Sequence, residues 1–322
     1  MAARLNPSPA QPDLIDLRRV SARALDPLLR EEIATWRDNL DWEFDKSADL
    51  VRRFVELHAL SGHVLLARGE PVGYLYYVTE ENKGLLGDLF LTETYRSLEN
   101  EDLLLSAALD SIMGSAQVDR IESQLLMLHH APARRLPYAE HAEVFDRNFM
   151  RVDLRTADLS ASNVRRPMYL ETWNDHYQDA AAHLIAEAYT GHIDSRINDQ
   201  YRSVAGARRF LFNIVQYPGC GAFFRPASYA AFETDGRLCG VSLASLVSPH
   251  CGHITQICVS PAVRGTGIGH ALLRQSLITL RDMGCHGASL TVTSANEGAV
   301  ALYERVGYRT IRRFSAYAWE GF

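Results

Sequence analysis

No apolar run in this 322-residue chain approaches membrane-spanning length. Cysteine is scarce: Cys220, Cys239, Cys251, Cys258 and Cys285 are odd in number, irregularly spaced and confined to the second half. That excludes a disulfide framework and reads as reduced thiols of a cytoplasmic protein. Positive charge is also in short supply. The chain has 33 Lys and Arg against 39 Asp and Glu, a net charge of -6 and a pI near 6.1. No basic face for nucleic acid is expected, and no membrane association. Met1 to Pro12 holds Arg4 but no apolar core behind it, so it does not read as a secretory signal. Its Pro, Ala and Ser content predicts a disordered tail over 1–14. His250, Cys251 and His253 stand too close together for a structural zinc site and lack a second ligand pair, so no metal is expected.

What remains is a soluble globular composition, 47% hydrophobic and 22% charged, on a chain long enough for two domains. Its most informative stretch is Val259-Ser260-Pro261-Ala262-Val263-Arg264-Gly265-Thr266-Gly267-Ile268-Gly269. An apolar run from Ile254 enters it. Ile268, Leu272, Leu273, Leu277 and Leu280 leave it at helical spacing. The local reading is strand, glycine loop, helix. Glycines there free backbone N–H groups to converge at the positive end of a helix dipole, which attracts a phosphate or pyrophosphate. Arg264 is expected to add a charged donor at the rim. The spacing is neither that of a Walker loop nor that of the dinucleotide fingerprint.

A second segment follows: Asn296-Glu297-Gly298-Ala299-Val300-Ala301-Leu302-Tyr303-Glu304-Arg305-Val306-Gly307-Tyr308. Ser294 and Glu297 predict a capping box and Gly307 a helix stop. The glycine loop resembles the acyl-CoA loop of the GCN5-related N-acetyltransferases (GNAT superfamily). The second segment is similar to that family's Asn-x-x-Ala-x-x-Leu-Tyr-x-x-x-Gly-Phe/Tyr helix. The two stand in the family's order and cover roughly the last quarter of the chain.

Element order repeats along the sequence. Gly73 aligns with Gly240, Arg96 with Arg264 and Gly114 with Gly284, a near-constant offset of about 170 residues. The expected fold is therefore α/β with mixed sheets, two tandem GNAT-like folds from one duplicated unit. The predicted boundaries are 15–158 for the first domain, 159–166 for a linker and 167–322 for the catalytic domain. In the first domain the glycine loop is replaced by Arg96-Ser97-Leu98-Glu99-Asn100-Glu101. Side chains block close approach, and two carboxylates are expected to repel an anion. This resembles the degenerate half of tandem GNAT proteins such as mycothiol synthase.

The resemblance implies acetyl-CoA as cosubstrate and direct attack by an amine. It assigns the thioester and pantetheine to the backbone of Ile257, Cys258 and Val259, where an N–H meets the developing oxyanion. It assigns the pyrophosphate to Arg264, Gly265, Thr266, Gly267, Ile268 and Gly269, with His270 next. Tyr303 would protonate the leaving thiolate. Asn296 is a further CoA-contact candidate. His253 matches by spacing the position where related enzymes carry a glutamate base. Its imidazole titrates near neutrality, and alternation would put His253, Thr255 and Ile257 on one strand face. For the acceptor amine, the polar connector containing His192, Asp194, Asn198, Asp199 and Tyr201 is the expected site. The expected function is a cytoplasmic acetyl-CoA-dependent N-acetyltransferase, monomer or homodimer, with a small-molecule or peptide amine as acceptor. The alternatives are a non-catalytic acyl-CoA sensor and a tandem GNAT-fold enzyme with another acyl donor.

Overall fold

The structure is a computed structural model describing residues 11–129, 134–217 and 219–322. The predicted tail falls largely on residues 1–10, outside the described residues. In chain order the elements are β1 (Asp13–Asp16), α1 (Ala22–Leu40), α2 (Asp45–Glu56), β2 (Ser61–Ala67), β3 (Glu70–Glu80), β4 (Lys83–Leu91), α3 (Leu98–Met113), β5 (Arg120–Gln124) and β6 (Ala142–Asp153). After an irregular stretch come β7 (Met168–Thr172), α4 (Gln178–Ala188), α5 (Asp194–Ile197), α6 (Val204–Gln216), β8 (Ala222–Phe223), β9 (Tyr229–Glu233) and β10 (Leu238–Ser248). The chain ends with β11 (Cys251–Val259), α7 (Ile268–Asp282), β12 (Gly287–Thr293), α8 (Glu297–Val306) and β13 (Arg309–Glu320).

Two compact units result. Among the described residues, one comprises 11–38, Phe44–Val144 and Phe314–Phe322. The other comprises Asn39–Glu43 and Phe145–Arg313. In the first, strands run β1-β2-β3-β4-β5-β13, antiparallel except for the parallel β4–β5 pair. Leu104, Leu105, Leu109 and Ile112 of α3 bury their apolar stripe on this sheet. In the second, strands run β6-β12-β11-β10-β9-β7, antiparallel except for β11–β12, with β8 beside β10. Leu273, Leu277 and Leu280 of α7 pack with Val306 of α8 and Leu290 and Val292 of β12. Ile185 of α4 and Leu211 of α6 form a separate cluster with Val241 and Leu243.

The internal registers of the units repeat. Gly73 lies opposite Leu91 and Gly240 opposite Val259. A Cβ at Gly73 would meet the Leu91 side chain at 2.5 Å, and one at Gly240 would meet Val259 at 3.0 Å, so neither position has room for a side chain. Arg96 and Arg264 each end a 3-10 turn that leads toward the next helix. β3–β4 bulges at Gly87, and β10–β11 bulges at the matching Thr255.

The compact units cut the chain elsewhere than the sequence boundaries at 158 and 167. Residues 147–153 of β6 pair with β12 inside the second unit, and β13 pairs with β5 inside the first. Each unit thus completes its sheet with the closing strand of the other half of the sequence. Glu320 of β13 forms an ion pair with buried Arg120, which also donates to Glu122 at 2.7 Å.

In the first unit Glu101 does not face a ligand space. It is fully buried, accepts from the His129 N–H at 3.0 Å and pairs with Arg134. Ser97 caps α3 by accepting from the Asn100 N–H at 3.2 Å. The start of α3 is closed by its own chain. The same unit buries two carboxyls together. Glu32 is fully inaccessible, and its Oε2 accepts from the Tyr74 hydroxyl at 2.8 Å. The Asp88 carboxyl lies within hydrogen-bonding reach of Glu32, with the Trp36 side chain beside them, and two carboxyls buried this close favour sharing a proton. Burial lifts Asp88 from 3.8 to about 7, and burial and the Asp88 charge push Glu32 up as well.

The sign of the pH effect follows. An acid whose pKa is raised by folding binds its proton more tightly folded than unfolded. Its contribution is therefore lost as pH rises from 3.8 toward about 7. Asp88→Asn supplies a permanent N–H donor toward Glu32. Thermal denaturation should show this variant melting several degrees above wild type at about pH 8, with the gap closing toward about pH 4. An equal gap at both pH values would remove the shared proton from the account.

Candidate active site

In the second unit β11 and β12 pair only from Cys251–Ile254 to Gly287–Leu290. Beyond that point β11 runs on to Val259 and β12 to Thr293, and no ladder joins them among the described residues. The Thr255 bulge sits where they part, its hydroxyl donating to Leu243 O at 3.0 Å. β11 keeps its other edge on β10, with Ile257 opposite Ser242, Cys258 opposite Val241 and Val259 opposite Gly240. The edge facing the gap offers N–H and C=O groups to an extended ligand. Burial pushes the Cys258 thiol up to about 12, so it is not a thiolate at neutral pH.

The glycine loop follows β11. Gly265 and Gly267 have φ of 74° and 90°, and Gly267 is the N-terminal flanking residue of α7. A Cβ on Gly267 would lie 2.3 Å from Asn163 O. The Arg165 N–H donates to Thr266 O at 2.8 Å, and the Thr266 hydroxyl donates to Val263 O at 2.6 Å. The first helical bond runs from the Ala271 N–H to Gly267 O, so the N–H groups of Ile268, Gly269 and His270 precede it at the positive end of the helix. Arg264 is exposed at the rim and also donates to Ala188 O at 2.5 Å, which braces the end of α4. Arg305 and Arg274 add further positive charge near the start of α7 and, after burial, help hold the His270 pKa below its ordinary value.

Asn296 begins α8. Its Oδ1 accepts from the Ala299 N–H at 3.3 Å, replacing the predicted Ser294–Glu297 box. Gly307 ends the helix at φ 106°. Between them Tyr303 is buried, and its hydroxyl makes no hydrogen bond to a described residue. Burial raises its pKa, the Asp194 charge raises it further and Arg147 opposes. The phenol keeps its proton throughout the neutral range.

The acceptor connector meets this helix. His192 Nε2 lies 3.3 Å from Asn296 Nδ2, and His192 Nδ1 accepts from the Asp194 N–H at 3.1 Å. Asp194 also accepts from the Thr293 hydroxyl. Tyr201 stacks on Tyr189 with centroids 4.3 Å apart, and Tyr189 accepts from Gln256 at 3.1 Å. Asn198 serves the turn, accepting from the Gln200 N–H at 3.0 Å, and Asp199 opens that turn.

The structure does not bring His253 to the gap. It lies before the bulge, opposite Ser245 and Ser289, and the bulge breaks the alternation expected to align it with Ile257. Its Nδ1 is 2.9 Å from Ser289 Oγ. Trp42 meets its ring edge-on at 5.1 Å, and Phe149 stacks at 6.1 Å. Burial in this aromatic setting lowers its pKa to about 3. An imidazole so reluctant to hold a proton is a weak base.

Comparison with known proteins accords with this geometry. Residues 213–308 match the model of the acetyltransferase (GNAT) family. Over these residues the chain is similar to that family. It is 34% identical over 86 residues to a mycothiol acetyltransferase of Thermomonospora curvata, covering 27% of this chain and 29% of that protein. It is 38% identical over 92 residues to the mycothiol acetyltransferase of Paenarthrobacter aurescens, covering 27% and 28%. The similarity thus spans less than a third of these relatives. Fold likeness extends further. A tandem GNAT protein from the clavulanic acid biosynthesis pathway superposes with TM-score 0.65 at 16% identity, over 96% of this chain and 98% of that one. A GCN5-related N-acetyltransferase from Sphaerobacter thermophilus gives 0.66 at 20% identity, over 95% of both.

Two residues of the second unit were not singled out in the sequence, Thr293 and Arg147. Thr293 ends β12, and Arg147 lies opposite it within β6. Arg147 had a signal: Phe145, Arg147 and Phe149 alternate along β6 with their side chains buried, and a charge at an inward position asks for a reason. Among the described residues no helix is long and apolar enough to cross a membrane.

The loop yields a stability and binding prediction. Gly267→Ala places a methyl against Asn163 O in a backbone conformation alanine resists. It should lower Tm and abolish acetyl-CoA binding in calorimetric titration. Gly298→Ala, in open space within the first turn of α8, should do neither. Undiminished binding by the Gly267 variant would detach the loop from the ligand.

Proposed function

We propose that the chain is an acetyl-CoA-dependent N-acetyltransferase whose chemistry lies in its second unit. The observation that carries this is the parting of β11 from β12 between a glycine loop and Tyr303. The fit to an acyl-CoA rests on the open strand edge, the left-handed glycines and the unpaired N–H groups opening α7. The pyrophosphate occupies the loop from Arg264 to His270. The pantetheine arm runs along Ile257, Cys258 and Val259 with its thioester in the gap. Asn296, tied up as a cap and beside His192, faces the acceptor side.

The acceptor enters as an ammonium and is received by the Asp194 carboxylate. Its first proton leaves to water beside the partly exposed His192, whose Nδ1 already accepts from the Asp194 N–H and so holds the turn that presents the carboxylate, whereas His253 is walled in. The neutral amine attacks the thioester carbonyl, and a β11 N–H meets the oxyanion. On collapse the C–S bond breaks, and the thiolate takes the Tyr303 proton. The second amine proton, lost as the amide forms, returns the phenol to its starting state. The relatives are mycothiol acetyltransferases by name, and the similarity covers too little of them to carry their substrate over.

Free-thiol release from acetyl-CoA with an amine panel tests the reading. Turnover with at least one amine is expected, with one acetyl-CoA bound per chain because α3 is closed at its start. Tyr303→Phe should lower kcat by roughly ten- to a thousandfold with little change in acetyl-CoA affinity. Binding without turnover on any amine would favour the sensor and overturn the transferase.

Steady-state kinetics separate the two histidines. His192→Gln should lower kcat/KM, because it loosens the turn that holds Asp194. His253→Gln should leave kcat/KM near the wild-type value. The reverse pattern would return the base to β11.

A further inference from the structure

Arg147 is buried at 8% exposure, yet its charge is almost unanswered. Its Nη2 donates to the Thr291 hydroxyl at 3.3 Å, a long bond to a neutral group. Its Nε is buried without any partner. No carboxylate among the described residues lies within ion-pair distance. The next inward arginine on the same strand, Arg151, is paired with Asp41. A buried guanidinium without a counter-charge costs several kcal/mol, and a fold does not carry that cost at a ligand gap without return.

Its position says what the return is. Arg147 lies directly opposite Thr293 in the β6–β12 ladder, so both side chains leave the same face of the sheet. Thr293 holds the Asp194 carboxylate. A cationic and an anionic group therefore stand side by side, not paired with each other, and both bear on the Tyr303 and Tyr201 phenols. The donor's phosphates have their own place at the start of α7. The charge for Arg147 must come from the acceptor. A single planar guanidinium suits a carboxylate, whereas a doubly charged phosphate so near Asp194 would be repelled.

We propose that the acceptor carries a carboxylate as well as its amine, and that Arg147 binds that carboxylate while Asp194 receives the ammonium. The inference rests on the transferase reading and narrows its substrate class to amino acids or amines bearing an equivalent acid. Arg147 is a specificity-determining residue in this arrangement, since the reacting atoms lie on the Asp194 side.

The experiment compares α-, β- and γ-amino acids with their matching carboxamides as acceptors. Wild type should favour the best acid over its carboxamide by about 10- to 100-fold in kcat/KM, the worth of one charge-assisted hydrogen bond. Arg147→Gln should bring that ratio near unity, mostly through KM, and Arg147→Lys should keep part of it. If Arg147→Gln fails to fold, the partial loss in Arg147→Lys carries the test, because lysine keeps the charge and forfeits the forked geometry. A wild type that acetylates amines without preferring acids overturns this inference and leaves the transferase standing. A ratio untouched by both variants does the same. If wild type releases CoA with no amine, the transferase reading fails by itself. Thermal shift then decides on carboxylate binding: the acids should raise the Tm of wild type and not of Arg147→Gln, and no shift in wild type overturns it.

Discussion

The second unit is organised by hydrogen bonds that two strands do not make. Parallel strands ordinarily continue their ladder, and unpaired backbone groups in an interior are costly. β11 and β12 stop pairing after Ile254 and Leu290, and the Thr255 bulge turns β11 away while its outer edge stays on β10. The freed edge is the feature on which a ligand can lie as a third strand. Everything chemically active borders it. The glycine loop lies past the far end of β11, Asp194 is anchored to the end of β12, and Tyr303 projects from the helix that follows.

The first unit keeps the same geometry and gives up its use. Its parallel pair also stops early, from Lys83–Leu86 to Arg120–Ser123, just before the matching bulge at Gly87. Where the second unit has a neutral Gln256 donating to Tyr189, the first has Asp88 beside Glu32. Where the second has glycines opening α7, the first has Ser97 as a cap and Glu101 locked to Arg134. The backbone template outlasted the ligand chemistry because its registers are fixed by packing, as at Gly73 against Leu91.

Much of this was legible from residues alone. The loop from Arg264 to Gly269, the α8 helix with Tyr303 and the duplicated order depend on local backbone demands and hydrophobic period, which a sequence displays. The His253 assignment misled for a definite reason. Counting positions along β11 assumes unbroken alternation, and a bulge is invisible until the partner strand is known. The second role of Arg264, donating to Ala188 O from an exposed position, depends on a tertiary approach that the sequence does not display. The Ser294–Glu297 pattern lost to Asn296 because a helix takes the cap that fits its first turn. Arg147 was out of view because it lies in the other half of the chain, and only strand pairing brings it opposite Thr293.

The exchange of closing strands also bears on the order in which the protein can be made. Synthesis is vectorial, and domains usually fold as they emerge. Here the first-made unit leaves its β5 edge open until β13 appears, after the entire second unit has been translated. The second unit, by contrast, finds β6 already waiting for β12. The half made last closes its sheet first, and the nascent chain carries an exposed strand edge, the ordinary seed of misassembly, for most of its time on the ribosome.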